Sequence, residues 1–148
     1  MSRDSYDPGA IGPLLGNTNE LPWHALGDGL EFQLLRLCEV TGDFTLFVRM
    51  HPGAQIAPHT HHGTGQFFVT RGELKYDLGN APAGTFGYEA QGEVHREARA
   101  DELTEYFFVG TGSSVFTAED GTVESILDWQ ALKQIWEEAQ KSAAANVV

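Results

Sequence analysis

Between residues 30 and 127 the chain breaks into short apolar runs, each ended by turn residues, and this recurrence constrains the fold more than any other feature. The runs are 30–37, 44–50, 66–70, 74–78, 84–88, 103–109, 114–117 and 123–127. Glycine-bearing breaks separate them at Thr41-Gly42-Asp43, Pro52-Gly53, Arg71-Gly72, Gly79-Asn80, Gly110-Thr111-Gly112 and Asp120-Gly121. Runs this short, with turn signals at such spacing, predict strands of a sandwich, barrel or jelly roll rather than helices. Only one segment carries helical periodicity. Asp128 is suited to an N-cap, and Leu132, Ile135, Trp136 and Ala139 then recur at helical spacing, which predicts a helix over about 129–141. Residues 1–22 are rich in Gly, Pro, Asn and Asp, with one apolar patch from Ile11 to Leu15. They read as an N-terminal arm laid over the barrel or over a neighbouring subunit. The expected organisation is therefore an all-β, single-domain jelly-roll barrel over 23–141, preceded by that arm and followed by a frayed tail at 142–148.

Charge narrows the partners. The chain has 148 residues with 21 acidic and 9 basic side chains, a net charge of -12. Nucleic acids and anionic membranes are bound by clustered Lys and Arg, so the balance opposes both. No apolar stretch approaches membrane-spanning length, and residues 1–8 lack a signal-peptide apolar core, so a cytoplasmic protein is expected. The single cysteine, Cys38, excludes an internal disulfide and fits a reducing compartment. Its place in the run Leu34-Leu35-Arg36-Leu37-Cys38 predicts a buried structural thiol.

Histidines carry the functional signal. His59 and His61 are two apart, so on an extended strand both imidazoles face the same way. His95, from a distant segment, can complete a three-nitrogen site, and imidazole ligands suit iron, zinc, copper and nickel. His62 points away on the same alternation, while His24 and His51 fall outside the pattern and read as structural or exposed. Gln66, five residues after His61, is a weak ligand or an outer hydrogen-bond partner. Glu89, six residues before His95, is placed to accept a histidine N–H or a substrate proton. Glu93 and Glu97 read as an exposed acidic rim. Ile56, Phe67, Tyr106 and Phe108 are expected to wall an apolar pocket beside the metal.

Two spaced blocks in this region resemble the motifs of the cupin superfamily. Gly53, His59, His61 and Gly72 match the first, and Gly84, Gly92 and His95 match the second. Gln66, Ala90 and Arg99 replace the family's usual Glu, Pro and Asn. The longer pattern from Gly29 to Trp136 resembles the acetylacetone-cleaving, β-diketone dioxygenases and the related dihydroxyacetophenone dioxygenases. The resemblance implies a cupin jelly-roll barrel with an Fe(II) centre held by His59, His61 and His95; zinc, nickel, manganese and copper stay open. Glu89 would act beside the metal, with Phe67 and Tyr106 at pocket or gate positions. The reaction implied is C–C cleavage of a small 1,3-diketone or aryl hydroxyketone with dioxygen, by a homodimer or higher homo-oligomer. The family's pocket arginine has no counterpart near Asp77. Two other functions stay open: a metal-binding sensor resembling the anti-sigma-factor cupins, and a sugar-acid isomerase.

Overall fold

The computed structural model describes residues 6–146. Residues 1–5 of the expected arm and 147–148 of the expected tail lie outside the described residues. The strands, in chain order, are β1 (His24–Gly27), β2 (Leu30–Leu37), β3 (Phe44–Met50), β4 (Gln55–Ile56), β5 (His59–His61), β6 (Gly65–Arg71) and β7 (Glu73–Tyr76). They continue with β8 (Gly79–Pro82), β9 (Phe86–Glu89), β10 (Val94–His95), β11 (Ala98–Arg99), β12 (Thr104–Gly110), β13 (Ser114–Thr117) and β14 (Val123–Leu127), and α1 (Trp129–Ala145) follows.

Three antiparallel sheets result. The largest has the order β1-β2-β3-β12-β6-β9, and two four-stranded sheets have the orders β10-β5-β13-β14 and β4-β11-β7-β8. Alternation in β3 and β6 sends Phe44, Leu46, Val48, Met50, Phe67 and Val69 inward, all at most 4% exposed. Each such side chain contributes about 1.5–3 kcal/mol when removed from water. Helix α1 seals one end of this core with Leu132, which is fully buried. Asp128 caps the helix as expected, its side chain accepting from the Ala131 N–H at 2.9 Å. The helix runs to Ala145, four residues past the predicted end, because the small residues Ala143–Ala145 propagate it well.

The described part of the arm lies on its own chain. Gln33, fully buried on the outer side of β2, donates to the carbonyls of Thr18 and Leu21 at 2.7 and 2.8 Å. The Leu37 N–H donates to the Pro8 carbonyl, and the Tyr6 hydroxyl to the Leu35 carbonyl. These bonds cover the face of β2 that alternation would otherwise leave in water. Cys38 departs from expectation: it is half-buried at the turn after β2, where its N–H donates to the Asp43 carbonyl.

The expected closed barrel is not what forms. The three sheets are not joined by hydrogen bonding into one wall, and two local features show why. Pro58 separates β4 from β5 and has no N–H to give a ladder. Between β10 and β11, the N–H groups of Arg96 and Glu97 turn to the two carboxylate oxygens of Asp77, each at 2.7 Å. The ladder that would run through this wall is thus divided between two sheets.

Slight burial pushes the Asp77 carboxyl upward, but the Arg96 and Glu97 N–H donors outweigh it and hold the group below its ordinary range. A carboxyl depressed in the folded state stabilises the protein above its unfolded value, and that contribution is lost as pH falls through the folded one. Asp77→Ala is expected to cost about 1 kcal/mol at pH 7, comparable to a lost helix cap. In thermal unfolding the difference from wild type should start to shrink as pH falls below about 4 and vanish only below the depressed folded value.

Candidate metal centre

Strand β5 is flanked by β10 and β13, with His95 directly opposite His59 and Ser114 opposite His61. The three imidazoles therefore share one face of one sheet, and their ring centroids are 4.9–5.3 Å apart. All three are buried, and one nitrogen from each lies within 4.8 Å of the others. The His59 Nδ1–H donates to the Ala57 carbonyl at 2.8 Å, which leaves the Nε2 lone pair facing the cluster. Burial is the main cause holding this imidazole below its usual range, opposed by the Ala57 bond and reinforced by His61 and His95. The neutral ring is the form that ligates a metal.

The donor set fits an ion. Two nitrogens each about 2.1 Å from one metal, subtending about 90–110°, lie about 3.0–3.4 Å apart. His59 Nε2 and His61 Nε2 are 3.3 Å apart. Both ring nitrogens of His95, and Oε2 of Glu89, are buried without a hydrogen-bond partner. Buried polar atoms left in that state are rare, and one bound cation would satisfy Glu89 Oε2 and one of the two His95 nitrogens. The three histidines form a metal-binding triad.

Glu89, from β9, faces this cluster rather than standing behind a ring. Its Oε2 is 2.9 Å from His61 Nε2, without hydrogen-bond alignment, and its Oε1 is 3.7 Å from His95 Nε2. Two residues make this placement possible. Gly65 is opposite Glu89 in the β6–β9 pair, and a Cβ there would lie 2.7 Å from Glu89 Oε2. Tyr76 lays its ring against His95, centroids 4.9 Å apart, and its hydroxyl donates to Glu89 Oε1 at 3.4 Å. Burial, followed by the Glu89 charge, raises the Tyr76 phenol well above its ordinary range, so it remains a donor.

Of the residues singled out in the sequence, His59, His61, His95 and Glu89 come together. Ile56, Phe67, Tyr106 and Phe108 line a cavity of about 400 Å³ against them. Gln66 does not join them. Alternation in β6 turns Gly65 and Phe67 inward and leaves Gln66 exposed, paired with Tyr88 on the outer face. It is placed neither to ligate nor to support a ligand. His62 is exposed, His51 pairs with Glu31 at 2.8 Å, and His24 is buried against Phe32, away from the triad. Tyr76, Phe116 and Gly65 were not legible as site residues. Tyr76 shares the inward face of β7 with Leu74, and that alternation was the available signal. Phe116 stacks beside His59 only through β13 pairing, for which the sequence offers no local sign.

Two substitutions separate these roles. Gln66→Ala should retain metal at wild-type stoichiometry. Gly65→Ala pushes a methyl group into the Glu89 carboxylate and should weaken metal affinity about 10–100-fold, the range for disturbed support around a metal site. Competition with a metallochromic chelator measures both.

Comparison with known proteins agrees with this geometry. The family described as the ChrR cupin-like domain matches residues 12–115. The acetylacetone-cleaving enzyme of Acinetobacter johnsonii is 24% identical over 138 residues, covering 88% of this chain and 90% of the relative. The crystal structure of an acetylacetone dioxygenase from Acinetobacter johnsonii superposes with a TM-score of 0.78 at 21% identity, covering 93% of this chain and 99% of that one. A candidate acetylacetone dioxygenase from Methylibium petroleiphilum PM1 gives a TM-score of 0.80 at 22% identity, over 86% of this chain and 96% of that one. At these identities the structural likenesses establish the fold. With more than half its length matched by the family, the chain is a cupin and belongs to the ChrR cupin-like domain family.

Proposed function

We propose that this protein is an Fe(II)-dependent dioxygenase that cleaves a C–C bond of a 1,3-diketone or aryl hydroxyketone. The observation that carries the reading is the setting of the triad. His59, His95 and Glu89 line a largely apolar cavity, His61 completes the triad with its ligand nitrogen within 4.8 Å of the other two, and no described lysine or arginine lines that cavity. The relatives named for acetylacetone cleavage support the same class of reaction.

When bound, Fe(II) supplies Lewis acidity toward an enolate and redox capacity toward dioxygen. The chain's own residues do the rest. The Glu89 carboxylate, facing the triad, accepts the proton lost when the diketone enolises. The Tyr76 hydroxyl holds Glu89 through Oε1. Phe67, Tyr106 and Phe108 exclude water from the reacting carbons. For a diketone, the balance is one substrate and one dioxygen giving a carboxylic acid and a 2-oxo aldehyde, with both oxygen atoms incorporated.

A sugar acid fits this cavity poorly. Its carboxylate would meet no cation of the protein and would face Glu89, and its hydroxyls would meet the apolar side chains of Leu46, Val48 and Leu74. In an oxygen-electrode assay, the Fe(II)-loaded protein should consume dioxygen with a diketone or hydroxyacetophenone panel, while the zinc-loaded protein should not, since zinc has no redox chemistry. Assayed at saturating Fe(II), Glu89→Gln should lose about 10²–10⁴-fold in turnover, the usual share of a proton-transferring group. Tight metal binding with no turnover across the panel would transfer the assignment to a metal sensor.

The chain is further proposed to work as a homodimer in a reducing cytoplasm. The exposed side chains Phe107, Phe68 and Phe86 stand in register across β12, β6 and β9, with Tyr88 beside them. Exposed apolar surface of this kind marks association sites, and Ile11 and Leu15 of the arm are exposed as well. The unpaired Cys38 suits the compartment. No described helix is long and apolar enough to cross a membrane. Light scattering at micromolar concentration should give twice the chain mass of 16.2 kDa, and Phe68→Glu with Phe107→Glu should return it to the monomer value.

A further inference from the structure

One buried donor in the cavity wall has no protein acceptor. Tyr106, on β12, lines the cavity and is 5% exposed. Among the described residues no hydrogen bond joins its hydroxyl to a protein group. The oxygen is not sealed off by packing either, so it opens on the cavity. Burial, followed by the Glu89 charge, holds the phenol well above its ordinary range, so it keeps its proton and remains a donor. A phenol O–H in apolar surroundings without an acceptor is a standing penalty that a suitable ligand removes.

The other polar side chains of the cavity wall are engaged or exposed. His59, His95 and Glu89 belong to the metal cluster, Tyr76 donates to Glu89, and Ser114 lies 3.5 Å from His61 Nδ1. Gln55 and Ser125 are exposed. Register separates Tyr106 from the cluster. Gly110 of β12 is opposite Gly65 of β6, and Gly65 is opposite Glu89 of β9. Tyr106 is on the same face of β12 as Gly110 but four residues away, with backbone positions about 13 Å apart. Phe108 stands between them, opposite Phe67 of β6, so two phenylalanines occupy the intervening level. The Tyr106 ring lies against Phe67, centroids 6.2 Å apart.

We infer that Tyr106 is a specificity-determining donor, whose O–H bonds to an uncharged oxygen on the substituent of the ketone, past Phe67 and Phe108 from the oxygens at the metal. This rests on the ketone reading above and adds one further recognised oxygen. The acceptor is neutral, because no described lysine or arginine lines the cavity to pair with a charge and Glu89 repels an anion. An ether, ketone or phenol oxygen meets these terms. A purely hydrocarbon substituent leaves the donor unpaired.

The test uses ring-substituted 1-phenylbutane-1,3-diones offered to the full-length protein. The 3- and 4-methoxy compounds carry an acceptor, and the 3- and 4-ethyl compounds are their isosteres without one. Calorimetry on the zinc-loaded form reads binding without turnover. For the better-bound methoxy isomer, the methoxy-to-ethyl affinity ratio should fall about tenfold in Tyr106→Phe. The ethyl compounds should bind the variant at least as tightly as wild type. Thermal unfolding of the metal-free variant should match or exceed wild type, since no protein hydrogen bond is lost. An unchanged affinity ratio overturns the inference, and so does a lowered unfolding midpoint, which would show that the hydroxyl serves the fold. In oxygen uptake by the Fe(II)-loaded variant, kcat/KM should fall about tenfold more for the methoxy compound than for the ethyl one. Oxygen uptake without any dependence on Tyr106 leaves the dioxygenase reading standing and removes the donor. A ratio that falls in the zinc form, with no oxygen uptake from the iron form, upholds the donor and removes the reaction. No binding of any of these diketones overturns both.

Discussion

Four polar side chains are buried side by side in this protein with more lone pairs than protons to fill them, and much of the structure answers to that. His59, His61, His95 and Glu89 are each less than 9% exposed. Leaving such groups unpaired in an apolar interior costs about 1–3 kcal/mol each. The fold supplies only part of the compensation. Ala57 takes the outer N–H of His59, Ser114 lies 3.5 Å from the outer nitrogen of His61, and Tyr76 reaches Glu89. Neither nitrogen of His95 has a protein partner, and that ring is held by the packing of Tyr76 and the other two imidazoles. Of the remaining unsatisfied atoms, Glu89 Oε2 on the six-stranded sheet and one nitrogen of His95 on the smaller sheet could meet a single cation.

The same division of sheets that defeats barrel closure builds the cavity. Pro58 and the Asp77 carboxylate divide the β4–β11 ladder from the β5–β10 ladder, and α1 packs against both of the remaining edges, β1 and β14. Asp77 is exposed and outside the cavity lining, and its carboxylate serves the backbone N–H groups of Arg96 and Glu97; no described lysine or arginine lines the cavity.

The parts legible in the sequence are those governed by local periodicity. The runs at 30–37, 44–50, 114–117 and 123–127 coincide with β2, β3, β13 and β14, and the Asp128 cap fixes the start of α1. The pairing of His59 with His61 follows from a period of two. Several of the short strands were lost: β1, β4, β8, β10 and β11 show no period of their own, and Gly79-Asn80 in β8 reads as a turn. Closure of the barrel was not legible either, since it depends on which edges meet, and edge contacts leave no mark in a single chain. Gln66 shows the limit most clearly. Its motif spacing places it with the ligands, yet one residue of register decides the face of a strand. With Gly65 inward, the space the motif reserves for a side chain on β6 goes to Glu89 from β9.

That exchange changes the charge logic of the site without emptying it. Three neutral imidazoles and a divalent ion carry two positive charges. One carboxylate reduces this to a single charge, and a monoanionic enolate neutralises it. A neutral head in an apolar cavity is stable only if the rest of the ligand carries no charge, because charge removed from water into such surroundings costs several kcal/mol without a partner. Glu89 arrives from the opposite sheet, held by the Tyr76 hydroxyl, so its carboxylate can take a proton without removing any nitrogen ligand. A glutamate on β6 at the motif position would be spent as a fourth ligand. In the proposed reaction the histidines of β5 and β10 would hold the metal and Glu89 of β9 would move the proton.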